Sequence, residues 1–220
     1  MIVLVKEDII EAIKQAKNSE KRRFIQSIDL EIKLKGIDAT KQENTFSEIY
    51  TLPKGLGSKK RSVCIIADTP TITKARESNA DGLLTKEQLE SLSGDKKSIR
   101  KLARKYDFFI ADVSLMPLVG RIMGQILGPR NKIPVPLPPN VDPKSLVEKL
   151  RNSVRIKLKG QPVVRSLVGS EDMKEEDVAE NVLALTDFVM QKIRGGPSSI
   201  HSLVIKLTMG SPVVVKSREV

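Results

Sequence analysis

Val63-Cys64-Ile65-Ile66-Ala67-Asp68 decides the architecture, because an unbroken apolar run closed by an acid is the pattern of a strand buried on both faces of a parallel sheet. Downstream, Gly82-Leu83-Leu84 and Phe108-Phe109-Ile110-Ala111 repeat it in short form, with helical segments between. Thr85 and Gln88 are spaced as a capping box for a helix starting near Lys86. Strand alternating with helix implies βαβ units. A further helix is predicted over 115–127, no regular structure over 134–143, and a short closing helix over 144–152. Residues 57–152 therefore read as one α/β domain.

The flanks have a different period. Residues 6–17 carry Ile9, Ile10, Ile13 and Ala16 at helical spacing, and a basic cluster, Lys21-Arg22-Arg23, follows. Ile28, Leu30, Ile32 and Leu34 then alternate with Ser27, Asp29, Glu31 and Lys33, as in a half-buried strand. Residues 36–48 read as a long polar loop and 49–52 as a partner strand. Beyond 152, Val154, Ile156 and Leu158 alternate with Arg155, Lys157 and Lys159, and Gly160-Gln161-Pro162 predicts a hairpin into 163–168. Ser170 with Glu171-Asp172 is expected to start a long amphipathic helix ending at Gly195-Gly196-Pro197. A last strand places Leu203, Ile205 and Leu207 on one face and Ser202, Val204, Lys206 and Thr208 on the other.

Antiparallel-type segments on both sides of a parallel-type middle imply an insertion. The predicted fold class is α/β and α+β. A discontinuous split β-α-β type domain is built from both chain termini (1–56 and 153–220), and a Rossmann-like three-layer α/β domain (57–152) is inserted into it. Linkers near 53–58 and 152–154 are expected to join them as hinges.

Composition bounds the function. The 220 residues hold 38 Lys and Arg against 27 Asp and Glu, a net of +11, which points to a polyanionic partner. The single Cys64 and single His201 rule out a disulfide scaffold or a zinc finger and suit the reducing cytoplasm. The apolar start gives way to Lys6-Glu7-Asp8, too early for a signal peptide, and no run approaches the ~20 apolar residues of a membrane span. With five Phe, two Tyr and no Trp, stacking surface is scarce, so backbone and shape of structured nucleic acid are the expected target. Residues 57–152 hold 18 of the basic and 10 of the acidic residues, a net of +8 against +3 elsewhere. Their densest run, Lys96, Lys97, Arg100, Lys101, Arg104 and Lys105, is expected to spread over more than one helix face, as a solvated helix or a phosphate contact.

Enzymatic signatures are missing. None of the 13 glycines precedes a lysine, so there is no Walker A loop. His201 has no evident nucleophile or orienting acid, Cys64 sits inside a strand, and Asp68, Asp107 and Asp112 lack metal-ligand spacing. No cofactor and no metal are expected. Gly120, Gly124 and Gly128 share a helix face where a neighbouring backbone is expected to approach closely.

Leu52-Pro53-Lys54-Gly55-Leu56-Gly57, Gly124-Gln125-Ile126-Leu127-Gly128-Pro129-Arg130 and Leu207-Thr208-Met209-Gly210, taken in that order, resemble the large-subunit ribosomal protein L-one family in its archaeal form. The resemblance implies a non-catalytic ribosomal protein of the cytoplasm, monomeric off the ribosome and without membrane contact. Its implied partners are large-subunit rRNA at the mobile stalk, exit-site tRNA and the protein's own mRNA, whose translation such proteins repress. It implies RNA-binding roles for Phe24, Ser27, Arg165, Ser202, Thr208, Met209 and Gly210, with Arg23 as a phosphate contact. Arg121, Arg130 and Lys132 would supply a secondary contact from the basic middle. Thr208 can donate to phosphate or a 2′-hydroxyl, Gly210 admits a sugar-phosphate backbone, and Met209 can pack on a ribose or base. The competing readings are a nucleotide-processing enzyme and a general nucleic-acid chaperone.

Overall fold

The computed structural model describes residues 2–3, 6–18, 22–193, 195–216 and 218–219. Lys21 of the basic cluster lies outside the described residues, as do Leu4 and Val5 of the apolar start. In chain order the first elements are β1 (Ile2–Val3), α1 (Lys6–Lys17), β2 (Ser27–Leu34), β3 (Phe46–Thr51), β4 (Val63–Ala67), α2 (Thr69–Glu77), β5 (Gly82–Thr85), α3 (Lys86–Ser91), α4 (Lys96–Lys105) and β6 (Phe108–Asp112). Then follow α5 (Met116–Leu127), β7 (Val135–Leu137), α6 (Pro143–Arg151), β8 (Ser153–Leu158), β9 (Val163–Ser170), α7 (Glu175–Lys192), β10 (Ile200–Leu207), β11 (Val213–Lys216) and β12 (Arg218–Glu219). They form two compact units, 1–60 with 152–220, and 61–151.

The inserted unit is a parallel sheet in the order β5-β4-β6-β7. Every residue of β4 and β6 is buried, as the unbroken apolar runs predict. Cys64 and Ile66 pack with Leu89, Ile99, Phe109, Val119 and Met123 on the side of α3, α4 and α5, while α2 and α6 contact β4 from the other side. The Thr85 capping box is present, with the Thr85 hydroxyl accepting from Gln88 N and the Gln88 side chain from Thr85 N. One expectation fails: within 134–143, Val135–Leu137 forms β7, parallel to β6. Pro136 is admitted there because β7 is an edge strand, where a missing N–H costs little. The glycine face of α5 also differs from expectation, since a Cβ at Gly120 or Gly124 would meet nothing within 4 Å.

The discontinuous unit has an antiparallel sheet in the order β11-β10-β2-β9. Its core joins Ile28, Leu30 and Ile32 of β2 and Leu203, Ile205 and Leu207 of β10 to Ile9 and Ile13 of α1 and Val178, Val182 and Leu185 of α7. The period-2 run in 28–34 thus buries one face against helices, and a one-residue slip would expose all of it. The expected 154–168 hairpin is absent. β8 pairs with β3, from Phe46↔Leu158 to Thr51↔Ser153, and β9 pairs with β2. Gly160-Gln161-Pro162 therefore carries the chain from one sheet to the other, with Leu34 N donating to Pro162 O at 2.9 Å. The partner strand also starts earlier than predicted, at Phe46.

Ser170 does not begin the long helix. It ends β9, its hydroxyl donates to Leu56 O at 3.1 Å and pairs with Asp172, and α7 starts at Glu175 with its own acidic turn of Glu175, Glu176 and Asp177. The segment 53–58 is likewise not a free linker. Leu56 is fully buried, and Asn181 accepts from Lys54 N at 3.0 Å while donating to Gly55 O and Val168 O, each at 2.9 Å. Gly57 has φ +62° and a Cβ there would collide with Ser170 and Met173, so glycine is the residue this turn accepts. The junctions consequently fall at 60/61 and 151/152 rather than 56/57 and 152/153. Lys59 and Lys60 then count with the discontinuous unit, and the net charges become +6 for 61–151 and +5 for the remainder.

Candidate nucleic-acid interface

The two central strands of the discontinuous unit end together, with Leu207 of β10 opposite Ile28 of β2. Past that rung the chain turns. Thr208 N donates to Ser27 O at 3.0 Å and Gly210 N to Leu207 O at 2.9 Å. The Thr208 hydroxyl lies 3.3 Å from the same Ser27 carbonyl, and Met209 N donates to Gln26 Oε1 at 3.1 Å. The backbone of 207–210 is thereby clamped to 26–27, with the Leu207 side chain in the core and those of Thr208 and Met209 on the outside. Thr208 is exposed, and Met209 and Phe24 are 60% and 52% exposed. The other aromatics are buried or pack on the cores, so the sequence's scarce stacking surface is spent at this sheet end.

Beside it, Arg22, Arg23, Phe24, Ile25, Glu171 and Asp172 line a cavity of ≈ 460 Å³. Glu171 fixes one wall: its carboxylate accepts from Gln26 N at 3.1 Å and its own N–H donates to Gln26 O at 2.9 Å. The Ser170 hydroxyl holds the Asp172 carboxyl below the usual carboxylate range, so it is ionised at neutral pH. The cavity accordingly offers guanidinium groups for phosphate, carboxylates for base amino groups and an aromatic ring for stacking.

Phe24, Ser27, Thr208, Met209 and Gly210 are brought together at this end, with Arg23 at its rim. Ser202 and Arg165 are not. Ser202 lies on the side of β10 away from the core but six residues from Thr208, ~20 Å along a strand, and is 5% exposed. Its cross-strand neighbours are Lys33 and Lys216, and in the middle of four strands a short hydroxyl has little access to solvent. Arg165 stands opposite Glu31 and its Nε donates to that carboxylate at 2.6 Å, which offsets its charge.

The secondary residues divide similarly. Lys132 Nζ donates to Ala103 O at 3.0 Å and Tyr106 O at 2.7 Å, closing the C-terminus of α4 as helix-end lysines do. It is therefore committed to the fold rather than presented to a ligand. Arg130 reaches Arg100 O at 3.4 Å and stays exposed, as does Arg121.

Sequence reasoning missed Gln26 and Glu171. Gln26 is 1% exposed, positions Met209 and leaves its Nε2 without a partner; it belongs to no periodic run that could have marked it. Glu171 read as a helix start and proves to be a tether. Burial pushes the Cys64 thiol up to about 12, which removes it as a nucleophile. Among the described residues there is no group of three or more potential metal ligands and no helix long and apolar enough to cross a membrane.

Comparison with known proteins agrees over nearly the whole chain. The model of the family described as "Ribosomal protein L1p/L10e family" matches residues 12–211. The chain is 42% identical over 211 residues to "Large ribosomal subunit protein uL1" of Methanothermobacter thermautotrophicus, covering 96% of this chain and 99% of that one. It is 43% identical over 215 residues to the protein of the same name from Pyrococcus abyssi, covering 96% of each. For Archaeoglobus fulgidus the values are 39% over 215 residues, 97% and 100%.

Proposed function

The chain belongs to the ribosomal protein L1p/L10e family, and from that premise we propose that it binds large-subunit rRNA at the mobile stalk, beside the exit site for deacylated tRNA, through the sheet end of the discontinuous unit. Family membership makes it a structural constituent of the large subunit, working on the cytoplasmic ribosome, and not an enzyme. The observation that carries the RNA reading is the clamp of 207–210 onto 26–27, which holds Thr208 and Met209 exposed beside Phe24 on a fixed backbone. Placed polar groups and shape supply discrimination, while charge supplies affinity common to all polyanions. The site therefore does not need the larger share of the charge. A similar fold in the protein's own mRNA would occupy the same sheet end, so repression of translation and rRNA binding would be mutually exclusive. Off the ribosome the protein acts as a monomer.

The test is a pair of variants, Thr208→Ala and Met209→Asp, assayed for binding to a stalk rRNA fragment over a range of salt. Both are expected to lose specific affinity by far more than they change the salt slope. Binding equal to the parent in both would overturn the site assignment.

A further inference from the structure

We propose that the exposed half of α4 is a second polyanion site, which grips the phosphodiester backbone of RNA without reading its bases; this rests on the rRNA-binding reading above and adds a second face to it. Lys96, Lys97, Arg100, Lys101, Arg104 and Lys105 are all exposed. At 100° per residue they fall within one arc of about 180°, whereas Ile99 and Ala103 are buried on the opposite side. The charge thus spreads over more than one face, as the spacing suggested, and fills the exposed half-cylinder of the helix. None of the six forms an ion pair among the described residues. Two neighbouring carboxylates have other hydrogen-bond or ion-pair partners: Asp95 caps the helix through Lys97 N and Ser98 N, with the Lys97 charge also acting on it, and Asp107 faces Arg61 and Lys132.

Lys105 lies over the Tyr106 ring at 5.1 Å, and six cations without a salt bridge along ~15 Å of helix repel one another, a cost that a polyanion would relieve. The helix is held in place to do so, with Lys132 on its terminal carbonyls and Arg130 against Arg100 O. The exposed arc carries no aromatic ring on which a base could stack and no amide to pair with one, which leaves cations whose main partner on RNA is the phosphate backbone. An acidic peptide is the other polyanion to weigh, because Leu83, Leu84, Leu92 and Leu102 line an adjoining groove of ≈ 460 Å³. Only Lys101 and Lys105 of the six border that groove, so most of the charge is directed away from it, and RNA is the better fit.

The experiment compares the parent, the triple variant Lys97→Gln/Arg100→Gln/Arg104→Gln and a control triple, Lys74→Gln/Lys86→Gln/Lys144→Gln, which removes the same charge elsewhere in the unit. Each is titrated with a stalk rRNA fragment and with unrelated structured RNA from ~50 to ~200 mM salt. Three lost phosphate contacts should flatten the slope of log K against log salt by about 2.1 to 2.7, making the affinity loss over that fourfold range about 20- to 40-fold smaller. The preference for stalk RNA should remain, and circular dichroism should show the helix intact, since Gln is a good helix former. A slope equal to the parent's, or one matched by the control triple, would overturn the proposal. If the parent itself fails to prefer stalk RNA, the functional reading falls instead, and the slopes on unrelated RNA still decide the role of α4. Unchanged RNA slopes together with acidic-peptide binding lost on Lys101→Gln/Lys105→Gln would assign the face to a peptide and likewise overturn it.

Discussion

Replacing Gln26 by Leu separates positioning from folding at the interface. The wild-type amide does two opposed things: Oε1 accepts the Met209 N–H at 3.1 Å, while Nε2 is buried with no partner. Leucine removes both. The Met209 donor loses its acceptor in a part-buried setting, costing ~1–3 kcal/mol, and an unsatisfied amide of similar cost disappears with it. The two terms nearly cancel, so stability in urea should change by less than about 1 kcal/mol. RNA binding has no such compensation. The 207–210 turn keeps its hydrogen bonds to Ser27 O and Leu207 O but loses the one that sets Met209, and ~1 kcal/mol of lost preorganisation corresponds to about a fivefold weaker Kd. Filter binding to a stalk rRNA fragment at fixed salt, beside a urea melt of the same preparation, measures both. Destabilisation above about 3 kcal/mol, or a Kd equal to the parent's, would overturn this role for Gln26.

Other consequences follow from single side chains. Asn181→Leu strips partners from Lys54 N, Gly55 O and Val168 O, and at ~1–3 kcal/mol each it should cost the discontinuous unit about 3 kcal/mol or more, read by Tyr50 fluorescence during urea unfolding in a Tyr106→Phe background. Lys132→Met should weaken the inserted unit by ~1–3 kcal/mol through the freed carbonyls of α4 and leave the RNA salt slope at the parent value, whereas a flatter slope would restore Lys132 as a phosphate contact. Cys64 should resist alkylation at about pH 8, near the ordinary thiol range, until the inserted unit unfolds. Because its thiol is pushed up to about 12 in the fold, its contribution is complete below the ordinary thiol range and is lost as pH rises toward that value, when the unfolded chain ionises first; a Cys64→Ala variant should lose that part of the alkaline decline.

What was legible in the sequence was whatever one face of one element decides. The alternation of 28–34, the unbroken run of 63–67 and the Thr85–Gln88 box each state a local period or a local cap, and each is realised. Partner choice was not legible. β8 and β9 are consecutive strands joined by a turn, yet each finds a better partner elsewhere, and nothing local distinguishes that outcome from a hairpin. Pro136 spoke against a strand until the sheet edge made it acceptable. At the interface, alternation placed Ser202 on the outer side of β10 but could not report that it is sheltered there. Lys132 looked like any other free cation, because its role depends on where α4 ends in space. Gln26 carried no sequence signal at all, since its function is to hold the backbone of a residue 183 positions away.

In the proposed function, placed groups at the sheet end, and not net charge, choose the RNA. Competition binding of the whole chain between a stalk rRNA fragment and an unrelated structured RNA of equal length, repeated as salt is raised, separates the two contributions. The expected result is that the preference for the stalk fragment persists, and its ratio holds, while both absolute affinities fall. Equal binding to the two RNAs, with the same steep salt dependence, would contradict it and leave a basic protein that binds RNA without choosing.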